Sequence, residues 1–67
     1  MNYIQMTDLY GATVAINPLN ITSVRIYNTA VVVCLGTDQI TTQFTNIEAA
    51  VDYIQRAPSI SLSTRTP

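Results

Sequence analysis

The stretch Thr29–Gly36 reads TAVVVCLG, and its six central residues, Ala30 to Leu35, are all apolar. Successive side chains of a strand point to opposite faces, so an unbroken apolar run makes a strand that is dry on both sides. The rest of the chain carries the pattern of a single helix, and one helix covers one face of a sheet. The other face therefore calls for a second layer.

With 67 residues the chain forms one domain, near the lower limit for folding on a single core. A domain of this size buries roughly 60% of the surface its unfolded chain exposes. Small domains usually add disulfides, a metal or self-association. Cys34 is the only cysteine, which excludes an internal disulfide. There is no histidine, and the carboxylates Asp8, Asp38, Glu48 and Asp52 are spread without ligand spacing, so neither a metal nor another cofactor is expected. Self-association remains, and the expected partner is a second copy of the chain.

Charge is sparse: Asp, Glu, Lys and Arg make up 10% of the chain, against about 25% in ordinary soluble domains. Lysine is absent, and Arg25, Arg56 and Arg65 are well separated in a chain of net charge −1. Nucleic-acid affinity rests largely on clustered basic residues, so this composition argues against nucleic acid as a partner. No segment reaches the roughly 18 apolar residues that span a bilayer, so no membrane is expected either. The start, MNYIQMTD, lacks the basic and apolar blocks of a signal peptide. With a lone thiol in an apolar strand, this points to a reducing, cytoplasmic setting.

Working outward from Ala30–Leu35, alternation predicts four more strands. Tyr3–Thr7 sets Ile4 and Met6 against Tyr3, Gln5 and Thr7, and residues 12–17 set Val14 and Ile16 against Thr13 and Ala15. Asp8-Leu9-Tyr10-Gly11 joins these two as a turn, and Asn17-Pro18-Leu19-Asn20 ends the second. Ile21–Tyr27 is β-branched throughout, but Ile21 is out of phase with Val24 and Ile26, which predicts a bulge near Thr22-Ser23. Asn28-Thr29 is placed for a short hairpin loop. After Gly36-Thr37-Asp38, residues 39–44 set Ile40, Thr42 and Phe44 against Thr41 and Gln43.

The period then changes. Ile47, Ala50, Val51 and Ile54 recur as one helical stripe. Thr45 and Glu48 have the spacing of a capping box, Arg56 suits the end of the helix dipole, and Pro58 stops the helix. The predicted fold is thus α+β: a five-strand antiparallel β-meander followed by one C-terminal helix packed on the sheet, in an oligomer. It spans residues 1–57, leaving 58–67 as a tail that is flexible or adds a strand to an offered edge.

Catalytic chemistry has little to draw on. There is no histidine to act near neutral pH and no lysine to activate by desolvation. Cys34, flanked by Val33 and Leu35 with no cation nearby in sequence, fits a small hydrophobe. Asp8 and Asp38 fit turns, Glu48 a cap and Asp52 a solvated helix face. A non-enzymatic protein is expected, with no catalytic residues.

Binding surfaces are easier to place. Four tyrosines in a charge-poor chain offer flat faces with polar tips, as interfaces do. Arg25 and Tyr27 share a strand face, where they could stack on a base or hold a phosphate. Thr41 and Gln43 could add uncharged donors and acceptors. Arg25, Tyr27, Thr41 and Gln43 are therefore the candidate site for a small nucleotide-like ligand. Tyr3 and Ala30, Val31, Val32, Val33, Cys34 and Leu35 are the candidate oligomer interface.

The run Leu9–Val24, LYGATVAINPLNITSV, resembles the FlbD/SwrD-like small flagellar protein family. The shared features are an L-x-G turn, a strand ending in Asn, and an Ile-x-x-Val strand. The likeness continues through Leu35-Gly36, a further strand and a helix of the Ile47–Ile54 kind. The chain departs from that pattern in having no lysines and few charges on its helix. The resemblance implies a small accessory protein of bacterial motility with no established catalytic residues.

Three functions follow as expectations. The first is a non-enzymatic, homo-oligomeric interaction protein, of which a motility accessory is one version. The second is an oligomeric module, of the kind a phage could encode, that binds or sequesters a nucleotide-like molecule. The third is a single-stranded nucleic-acid binder.

Overall fold

The computed structural model describes residues 2–61. Its elements run β1 (Asn2–Thr7), β2 (Thr13–Ile16), a 3₁₀ turn (Pro18–Asn20), β3 (Ser23–Tyr27), β4 (Ala30–Leu35), β5 (Asp38–Thr41), α1 (Ile47–Arg56) and β6 (Ile60–Ser61). The class is α+β, with antiparallel strands and one helix near the C-terminus.

The strands form two sheets, β2-β1-β6 and β3-β4-β5, rather than one meander of five. The division falls at Pro18. The Asn17 side chain accepts a hydrogen bond from the Leu19 amide at 3.0 Å, and Pro18 opens a single 3₁₀ turn. This carries the chain away from the β1-β2 hairpin, so β3 begins a new sheet instead of pairing with β2. The two sheets touch where β1 ends: Leu9 donates its amide to the Thr41 carbonyl at 2.8 Å, and Asp8 bridges Thr42.

The turns follow their residues. The Asp8 carboxylate accepts from the amides of Tyr10 and Ala12, each at 2.9 Å, while Gly11 sits at φ +88°. Asn28 and Thr29 have φ of +51° and +68° between the paired Tyr27 and Ala30. Two positive values in a two-residue loop are the signature of the type I′ hairpin turn. Ile21 packs on the same core as Val24, three residues on, and the Thr22 amide reaches the Cys34 carbonyl at 2.8 Å. That local change of phase brings the out-of-step Ile21 inward.

The core is built from Ile4, Met6, Ile16 and Val33, with Val14, Ile21, Val24, Leu35, Ile40, Tyr53, Ile54 and Ala57 packed around them. It lies between the two sheets and the helix. The helix contributes Ala50, which is fully buried, and the partly buried Tyr53 and Ile54; Ile47 sits at the rim. Tyr53 also donates its hydroxyl to the Gln5 carbonyl and packs its ring 5.6 Å from Phe44, which fastens the helix to both β1 and the chain after β5.

The helix cap differs from the expected capping box. Asn46, not Thr45, is the N-cap, and its side chain accepts from the Ala49 amide at 3.0 Å. Asparagine caps at least as well as threonine, and starting one residue later moves Glu48 from the third helical position to the second. Beyond the helix, Ile60 and Ser61 pair with Tyr3 and Asn2 on the edge of β1. The rest of the expected tail, 62–67, lies outside the described residues.

Candidate binding face

The phase of β4, which an all-apolar run hides, is set by its neighbours. Val33 lies between Val24 and Ile40, while Val32 lies between Arg25 and Thr41, and Cys34 between Ser23 and Gln39. Val31 and Val33 therefore point inward, both fully buried. They belong to the protein's own core, not to a surface, which removes them from the expected interface. Val32 and Cys34 point outward, yet are only 5% and 8% exposed.

These two residues owe their shelter to the flanking strands. Arg25, Tyr27, Gln39 and Thr41, with Ile26, line an open cleft of about 440 Å³ that has Val32 at its floor. The lining comes from β3, β4 and β5 alone, so neither the helix nor the second sheet contributes to this face. The outer dryness of TAVVVCLG is thus supplied partly by long side chains leaning over the central strand.

Three of the four expected ligand residues, Arg25, Tyr27 and Thr41, meet on this face. Gln43 does not. It lines a separate cleft of about 270 Å³ with Thr7, Phe44 and Tyr53. The cause lies just after Thr42, which is fully buried in phase with Ile40. The Thr42 amide and hydroxyl both donate to the Val31 carbonyl, at 2.9 and 2.8 Å, and the hydroxyl accepts from the Phe44 amide at 3.2 Å. Val31 then donates its own amide to Phe44, at 2.9 Å, so the chain skips a ladder step and Gln43 is turned aside.

Gln39 takes its place beside Thr41, two residues along on the same face. The period of two from Thr41 carried that signal, though in the direction opposite to the one expected. Ile26 is the second addition to the cleft. Of the remaining interface candidates, Ala30 and Leu35 are half-buried at the two ends of β4, and Tyr3 is half-buried on β1.

Electrostatically the face is simple. Arg56 pairs with Asp52 at 2.8 Å on the exposed side of the helix, while Arg25 forms no ion pair among the described residues. Arg25 thus presents a guanidinium beside the flat ring of Tyr27, which is 69% exposed. Around them stand the uncharged Gln39 and Thr41, above an apolar floor. Among the described residues no three His, Cys, Asp or Glu side chains come together as metal ligands. No helix of the described residues is long and apolar enough to cross a membrane.

No protein-family model, curated protein or solved structure matches the chain.

Proposed function

We propose that this is a non-catalytic interaction protein that works as a homo-oligomer, with the outer side of the β3-β4-β5 sheet as its working surface. The observation that carries this reading is the composition of that side. An exposed Tyr27 shares that side with an arginine that has no ion pair among the described residues, and the cleft beside them is lined by β3, β4 and β5 alone. Flat aromatic and arginine side chains are the groups that anchor interfaces. Light scattering tests the reading. A mass that rises with concentration supports it, and a monomer throughout the micromolar range and above would sink it. A motility accessory role, as the resemblance to the FlbD/SwrD-like family suggests, is one setting for such a protein.

The cleft favours a second reading, in which the oligomer binds a nucleotide-like molecule. Arg25 supplies a fork for phosphate, Tyr27 a ring for a base, and Gln39 and Thr41 neutral hydrogen-bonding groups. Nucleotides that bind the folded state raise its melting temperature. A series of mono- and dinucleotides that leaves the melting temperature unchanged would remove this reading while leaving the first intact.

A further inference from the structure

We infer that a second copy of this chain pairs with the free edge of β3, antiparallel and centred on Ile26, so that each Arg25 lies across from Tyr27 of the other copy. The inference rests on the homo-oligomer reading and puts the contact between copies at the rim of that outer side, on the β3 edge, in a stated register.

The backbone directions come from the hydrogen bonds. Val31 uses its amide and carbonyl toward Phe44 and Thr42, on the β5 side. Backbone groups alternate along a strand, so those of Ala30 and Val32 point to β3. Tyr27 pairs with Ala30 and Arg25 with Val32, which turns the backbone groups of Tyr27 and Arg25 toward β4. The amides and carbonyls of Val24 and Ile26 are left pointing away from the sheet. Among the described residues no strand pairs with that edge.

The other edges are less available. β6 has two residues, and Val14 of β2 and Ile40 of β5 line the same two clefts, so those edges face each other within the fold. β3 has five residues, no lysine, proline or glycine lies within Ser23–Tyr27, and its single charge, Arg25, has its backbone groups turned toward β4. An open edge of this kind accepts a further strand.

Self-pairing then selects the register. A two-fold axis at Arg25 would set two guanidinium groups directly opposite each other, which is unfavourable. Moving the axis to Ile26 sets Arg25 against Tyr27 twice, at non-hydrogen-bonded positions. There, cross-strand side chains lie closest, with Cα atoms about 4.5 Å apart, and the cation can stack on the ring. The same axis sets Ile26 against itself, covering a side chain that is 47% exposed in the single chain. Such an arrangement is self-complementary, as a two-fold dimer requires. The two three-stranded sheets become one of six strands, and the two Arg25–Tyr27 faces become one continuous face.

The test uses cysteine cross-linking in a Cys34→Ala background, with sedimentation of the native protein alongside. Under mild oxidation Ile26→Cys should give a covalent dimer, because its two copies sit opposite each other. Arg25→Cys alone should not, because its two copies lie diagonally, beyond the about 7 Å that a disulfide can bridge. Cross-linking by Arg25→Cys and not by Ile26→Cys would overturn the register. A native dimer in which neither variant cross-links would overturn the β3 interface and leave the oligomer reading standing. A monomer at every concentration would end both. Should the Cys34→Ala background fail to fold, Tyr27→Ala in the native chain decides. It should weaken dimerisation roughly tenfold, the loss of two cation–π pairs, and an unchanged dissociation constant would overturn the inference.

Discussion

The two faces of β4 are equally dry and differently made. Val31 and Val33 look inward, Val33 into the core shared by two sheets and a helix and Val31 onto Thr42, whose hydroxyl is hydrogen-bonded to the Val31 carbonyl and the Phe44 amide. Val32 and Cys34 look outward, Val32 beneath Arg25, Tyr27, Gln39 and Thr41 and Cys34 between Ser23 and Gln39. The first kind of burial holds the fold together. The second leaves polar and aromatic groups poised over an apolar floor, which is how a surface is made ready for a partner. Burial alone therefore does not say which residues are core; what does the burying decides it.

A matched pair of substitutions breaks or sharpens this contrast most strongly. Val33→Asp places an unpaired charge in the core. A chain of this length has a total stability of about 3–10 kcal/mol, so this variant should have no cooperative thermal transition by circular dichroism. Val32→Asp, one residue away, should stay folded and lose only about 1–2 kcal/mol in urea. Its carboxylate would lie across from Arg25, drawing that guanidinium inward and away from a second copy, so association should weaken as well. Equal damage from both would erase the distinction between the faces.

Thr42→Val probes the inner side on a smaller scale. It keeps the shape but removes the hydroxyl that serves Val31 and Phe44. The loss should be about 1–3 kcal/mol, read as a lower urea midpoint. A neutral result would mean that the skipped ladder step needs no side-chain support.

The smallest effect has the opposite sign. Thr29 is β-branched and held at φ +68°, a conformation that costs such residues energy. Thr29→Gly should raise stability by about 1 kcal/mol by relieving the turn that leads into β4, measured as an increase in melting temperature. A decrease would show that Thr29 makes contacts that outweigh the strain.

Much of this was legible in the residues. Alternation located β1, β2, β3 and β5, the unbroken apolar run located β4, the Asp8 and Asn28-Thr29 turns announced themselves by residue type, and the helical stripe located α1. The division into two sheets was not legible, because Pro18 marks a break without saying where the next strand goes. The helix cap was misplaced by one residue because Thr45 and Asn46 are both good caps and only the geometry separates them. At the site, Arg25, Tyr27 and Thr41 were readable from a period of two. Gln43 was not, because the ladder skips a step after Thr42, where the Val31 amide reaches the Phe44 carbonyl, and no pattern of side-chain polarity reports such a bond. The phase of β4 was hidden for a simpler reason: an all-apolar run has no polar residue to mark the outer face.

The most direct measurement is amide hydrogen exchange at Ile26 as a function of protein concentration. In the single chain this amide points away from the sheet, whereas the Arg25 amide points into it. Between micromolar and millimolar protein, exchange at Ile26 should slow severalfold or more while Arg25 stays protected at both ends. If Ile26 exchanges at the same fast rate throughout, β3 meets no second copy and the account is wrong.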